Sequence, residues 1–127
     1  MEKKAPVSRI GRSRHEHLVG TFALHNDGRR SHAALILGVC SADPEAFLAL
    51  FLTSNPHWNP DCRKATEEEI RMLHMKPLDK PSYLAPVIRP KREFPSYRLG
   101  LDAKGLRKYH EEFAHSFVGV KAAPKAA

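Results

Sequence analysis

The chain has 127 residues, enough for one domain with a modest core and too few for two ordinary domains. Lys and Arg number 21 against 14 Asp and Glu, a net charge of +7 that favours a polyanionic partner, nucleic acid or an acidic protein. Cys40 and Cys62 are too few for a disulfide framework, no run reaches the roughly 18 apolar residues of a membrane span, and the basic N-terminal residues do not read as a signal core, so a reduced, cytoplasmic setting away from membranes is expected.

Residues 1–16 read as a basic flexible arm, with Lys3, Lys4, Arg9, Arg12 and Arg14 set among Pro, Ser and Gly. Such a segment has too little apolar surface to offset its ordering entropy. It is either a solvated tail or a grip for phosphates, with Arg9, Arg12 and Arg14 as the binding residues. A single domain over 17–119 follows, opening with a strand over 17–24 that the turn-forming His25-Asn26-Asp27-Gly28 ends. The next strand runs from Ser31 to Val39, which places Arg29, Arg30 and His32 just beyond a hairpin turn. From Ala33 to Trp58 there is no Lys or Arg, and this stretch is the core.

After Asp43-Pro44-Glu45 the apolar run to Thr53-Ser54 suits a helix opened by Pro or a buried strand; it has no polar face either way, and a strand is preferred. Asn55 to Asp61 reads as a loop broken by two prolines, with Trp58 in it as a base-stacking candidate. Thr66 and Glu69 have capping-box spacing and open a short helix to about Met75, with Ile70 and Leu73 or His74 facing inward. Ser82 to Arg89 is strand-like, and Pro86 and Pro90 restrict it to an edge. Tyr97 to Leu101 alternates as another strand. Asp102 then caps a helix whose Leu106, Tyr109, Phe113 and Phe117 form one stripe, ended by Gly119 and followed by a flexible tail over 120–127. The order of elements implies an α+β fold: a small barrel-like sheet, a short inserted helix and a C-terminal packing helix.

The hairpin, its basic turn, Ala33-Ala34-Leu35-Ile36-Leu37, the strand ending Phe51-Leu52-Thr53-Ser54, the block Lys80-Pro81-Ser82-Tyr83-Leu84 and the C-terminal amphipathic helix together resemble the PemK/MazF toxins. The resemblance spans roughly residues 17–117 and implies an SH3-like β-barrel, no cofactor, metal-independent endoribonuclease activity on RNA, a homodimer, and neutralisation by an acidic antitoxin. The family's Arg-Pro pair is absent. Its catalytic arginine falls on Arg30 by the basic turn, or on the His32 position when the strands are aligned without a gap.

The chemistry so implied is attack of a 2′-hydroxyl on the adjacent phosphate, which needs a base, an acid and cations for the developing charge. Arg29 and Arg30 are the candidate cations, Thr53 and Ser54 the donors to phosphate oxygen, and His32 or His25 the proton carrier. Tyr83 joins Trp58 as an aromatic for stacking on bases. Plainer roles compete: Thr53-Ser54 also suits the end of a strand, and Arg29-Arg30 a solvated turn. A non-catalytic nucleic-acid-binding module, in a ribonucleoprotein or defence complex, is the alternative reading of the chain. The eight histidines show no strong ligand spacing, and no metal site is expected.

Overall fold

The computed structural model describes residues 17–55, 60–74 and 80–117. Arg9, Arg12, Arg14 and Trp58, the tail 120–127 and the proposed helix end at Gly119 lie outside the described residues. The fold is α+β: among the described residues there are one six-stranded antiparallel sheet and two helices. The strands are β1 (Phe22–Asn26), β2 (Ser31–Val39), β3 (Ala46–Thr53), β4 (Arg63–Lys64), β5 (Tyr83–Pro90) and β6 (Ser96–Arg98). Helix α1 (Glu67–His74) is inserted between β4 and β5, and α2 (Ala103–Phe117) follows β6. The strand order is β4-β5-β3-β2-β1-β6, an open sheet whose edges are β4 and β6.

The two central strands explain why the apolar run carries no polar face. Leu35, Leu37, Leu50, Leu52 and Leu84 pack with Tyr109 and Phe113 on the helix side. Ala34, Ile36, Phe47, Ala49, Phe51 and Ala85 pack with Phe94 on the other. Alternate residues of β2 and β3 therefore enter two different cores, so alternation is invisible as polarity. Phe94 reaches its core because a short 3₁₀ turn, Lys91–Glu93, carries the chain from β5 towards β6, and the Lys91 N–H donates to Glu45 O at 2.7 Å.

Three expectations from the sequence are corrected. The first strand begins at Phe22 and not at 17, because residues 17–20 form a turn: the Thr21 hydroxyl donates back to Leu18 O at 2.6 Å, and Gly20 has φ +91°. The strand from Tyr97 stops at Arg98, since Gly100 lies against the Gly20 backbone, and the Leu101 N–H donates to Gly20 O at 2.8 Å. Strand β5 is not simply an edge: β4 pairs with it at Leu84 and Tyr83. That pairing covers only Tyr83 and Leu84, so Pro86 and Pro90, which have no N–H to give to a ladder, lie beyond it.

Helix α1 starts with the capping box expected of Thr66 and Glu69: the Glu69 N–H donates to Thr66 Oγ1 at 3.1 Å, and the Thr66 N–H donates to Glu69 Oε1 at 2.9 Å. Its C-terminus is closed by Arg98, whose Nη2 donates to Met72 O at 2.7 Å and Leu73 O at 2.9 Å. Helix α2 opens on Asp102, whose Oδ1 accepts the Gly105 N–H at 2.8 Å. A bulge between Ile36 and Gly38 takes Leu37 out of the β2–β3 ladder, and His110 Nε2 of α2 hydrogen-bonds to Leu37 O.

Candidate functional site

Strand register brings the polar ends of the apolar runs together. Ala34 lies opposite Phe51 and Thr53 opposite Tyr83, so the start of β2, the end of β3 and the start of β5 share one end of the sheet. Leu24 pairs with Ala33 on one side and Ser96 on the other, which adds β6 to the same end. A cleft of about 740 Å³ opens there. Arg30, Ser31 and His32 line it from β2 and its turn, Thr53, Ser54 and Asn55 from the end of β3, and Lys80 and Ser82 from the approach to β5. Ser96, Tyr97 and Arg98 of β6 and His74 at the end of α1 complete the polar lining.

Among the described residues the cleft lining holds three side chains of fixed positive charge, Arg30, Lys80 and Arg98, and no carboxylate. Arg98 is held in place by the α1 carbonyls and by its position 4.7 Å above the Phe22 ring. Arg30 and Lys80 are exposed, and neither has an acidic partner within 4 Å among the described residues. The Tyr97 hydroxyl is buried with no hydrogen-bond partner among the described residues, and burial raises its pKa.

The hairpin tip is built by its acidic side chain. Asp27 Oδ1 accepts the N–H groups of both Arg29 and Arg30 at 2.9 Å, and these two bonds hold the carboxyl below its ordinary pKa. Gly28, at φ +93°, provides the left-handed residue the turn requires. The result separates two neighbouring arginines: Arg30 lines the cleft and Arg29 does not. Thr53 is buried, and its Oγ1 accepts the Asn55 N–H at 3.1 Å, so this hydroxyl closes the turn after β3 while bordering the cleft. Ser54 is exposed at the same border. Tyr83 sits between Thr53 and Lys64 in the sheet and does not line the cleft.

His32 borders the cleft with its ring stacked on Phe51, centroids 5.0 Å apart and planes 15° from parallel. Burial, with the nearby Arg30 cation adding to it, lowers its pKa and favours the neutral imidazole. His25 lies away from the cleft: its Nε2 is 2.7 Å from Glu93 Oε1, which also accepts Arg89 Nε at 2.9 Å.

Of the candidate catalytic residues, Arg30, His32, Thr53 and Ser54 therefore meet at one cleft. His74, Lys80, Ser82, Tyr97 and Arg98 line it too and were not singled out from sequence. The signal for two of them was present in the Lys80-Pro81-Ser82-Tyr83 block, whose start must accompany Thr53 once β3 and β5 pair. Among the described residues no three His, Cys, Asp or Glu side chains are grouped as metal ligands, and no helix is long and apolar enough to cross a membrane. No protein-family model matches the chain, and no curated protein or solved structure matches it either.

Proposed function

We propose that the cleft engages single-stranded RNA through its phosphates, and that the protein is of PemK/MazF type, its open sheet a variant of that family's SH3-like barrel. The observation that carries this reading is the lining: Arg30, Lys80 and Arg98 with serine, threonine and tyrosine hydroxyls, and no carboxylate among the described residues. Cations attract the backbone, guanidinium groups match phosphate oxygens, and hydroxyls donate to them without adding repulsion. The blocks behind the family resemblance, the basic turn, Thr53-Ser54 and the start of the Lys80 block, border this one cleft.

Cleavage is the further step of the same reading, and it is favoured by His32. A histidine kept neutral by burial beside a cation is suited to take the proton of a 2′-hydroxyl, while Arg30 faces the charge that develops on the phosphate. The fragment upstream of the break then ends in a 2′,3′-cyclic phosphate, and the 5′-oxygen of the downstream fragment leaves with a proton.

Salt-titrated binding of single-stranded RNA and duplex DNA to the unmodified protein tests the first part, and product analysis with and without a chelator tests the second. Salt-dependent RNA binding with a cyclic-phosphate product is the expected result. Binding without cleavage assigns the protein to the non-catalytic modules, and loss of cleavage on chelation introduces a metal that this reading does not include. An acidic peptide that competes with RNA would mark the same surface as the antitoxin-type contact.

A further inference from the structure

On the sheet face opposite the helices, a second cavity of about 360 Å³ adjoins the cleft, and His32 lines both. Its walls include Phe51, Val87 and Arg89, with His25 and Asp27 from β1 and its turn. His25 is 2% exposed, and its ring packs 4.4 Å from Phe51 and 5.2 Å from Phe94. Glu93, the partner of its Nε2, holds a carboxylate below its ordinary pKa: burial opposes the charge, and the bonds from His25 and Arg89 outweigh it. A carboxylate only accepts, so Nε2 carries the hydrogen, and in the neutral ring Nδ1 is a bare acceptor. That Nδ1 is buried and has no partner among the described residues. A buried acceptor left unpaired in a native fold calls for a donor.

We propose that this cavity is a nucleobase subsite, in which one base of the bound strand enters beside the His32–Phe51 stack and donates an N–H to His25 Nδ1. The inference rests on the RNA reading of the cleft and deepens it. Phosphates held by Arg30 and Lys80 position the strand, and the neighbouring cavity reads a base edge. Apolar Val87 and the ring of Phe51 provide the flat surroundings that a base displaces water to reach.

The test compares the affinities of hexamers of uridine, cytidine and adenosine with counterparts lacking base N–H donors: N3-methyluridine, N4,N4-dimethylcytidine and N6,N6-dimethyladenosine. An abasic ribose-phosphate hexamer reports the backbone alone. At least one natural hexamer should bind about fivefold tighter than its methylated counterpart, the value of one hydrogen bond. Val87→Trp, which fills the cavity and leaves Arg30 and Lys80 in place, should abolish that difference and keep the abasic affinity and its salt dependence. Equal binding of every natural and methylated pair by the unmodified protein overturns the subsite and leaves the cleft standing. Discrimination that survives in a folded Val87→Trp protein overturns it as well. If no hexamer binds, and the His25 ring-nitrogen resonances are unmoved by free nucleosides, the cleft reading and the subsite fall together.

Discussion

Arg63 and Glu69 meet through two parallel hydrogen bonds, Nη1 to Oε1 at 2.8 Å and Nη2 to Oε2 at 2.9 Å. The same guanidinium also binds Glu112 of α2, and the Tyr109 hydroxyl donates to Glu69 Oε2 at 2.6 Å. One carboxylate thus ties β4, α1 and α2 together on the helix side of the sheet. Burial works against its charge, but the bonds from Arg63, Tyr109 and the Thr66 N–H overcome this and hold its pKa at about 2. Tyr109 responds in the opposite direction, its pKa raised by burial and by the carboxylate it faces.

A depressed carboxyl pKa stabilises the fold above the unfolded value and loses that contribution as pH falls through the folded value. With the ordinary value at 4.5 and the folded one about 2, the loss is confined to the window between them and amounts to about 3 kcal/mol. Urea titrations at pH 7, 4.5, 3 and 2 should show this decline. Glu69→Gln should lower stability by about 2–3 kcal/mol at pH 7 and flatten the decline, because the group that titrates is gone. An identical acid profile in wild type and variant would assign acid sensitivity to other carboxylates.

Gly100 should be intolerant of any side chain. A Cβ there would lie 2.0 Å from Gly20 O and 2.8 Å from Thr21 Cα, both backbone atoms that cannot swing aside. Gly100→Ala should cost about 3 kcal/mol, the upper range for overpacking, by prising apart the junction that starts α2. Gly28→Ala is the comparison: its φ is +93° with nothing within 4 Å, so the cost is conformational alone, about 1–2 kcal/mol. Thermal melts of the two variants should rank in that order.

The helix stripe divides by burial. Phe113 is 3% exposed within the leucine core, whereas Phe117 is only partly buried against it. Phe113→Ala should cost about 3–5 kcal/mol. Phe117→Ala should cost clearly less. Equal melting temperatures for the two variants would contradict this packing.

The extent to which the fold could be read from the chain follows from what each element contrasts with. Strand β2 and its hairpin were legible because Asp27-Gly28 is a local turn signal and polar Ser31 to apolar Val39 a local contrast. Strand β3 was ambiguous between strand and helix because both its faces are buried, which erases the period. Strand β4 had no signal at all: two charged residues, Arg63 and Lys64, are a strand only because β5 and the Ala65 N–H bond to Ser82 O hold them. Half of the cleft was visible as polar residues at the ends of apolar runs. Tyr97, Arg98 and His74 were not, since they join through β6 pairing with β1 and through α1, contacts that no local pattern encodes.

Adjacent arginines on one turn give the sharpest test of the cleft. Arg30 lines it and Arg29 does not, although both are exposed and equally charged. Arg30→Ala and Lys80→Ala should each weaken single-stranded RNA binding and reduce the slope of log affinity against log salt by about 0.7, the value for one phosphate contact on a single strand. Arg29→Ala should leave that slope nearly unchanged. Where cleavage is measured, Arg30→Ala should lower the rate more than the affinity, because a cation facing developing charge acts selectively on the transition state. The pH dependence adds an independent sign: His32 acts as a base when neutral, and its pKa is lowered by burial, so the rate should rise with pH and level off below pH 6.5, the ordinary histidine value. A rate still climbing above neutrality would remove His32 from the base role, and equal salt slopes for Arg29→Ala and Arg30→Ala would move RNA contact from the cleft to the hairpin tip as a whole.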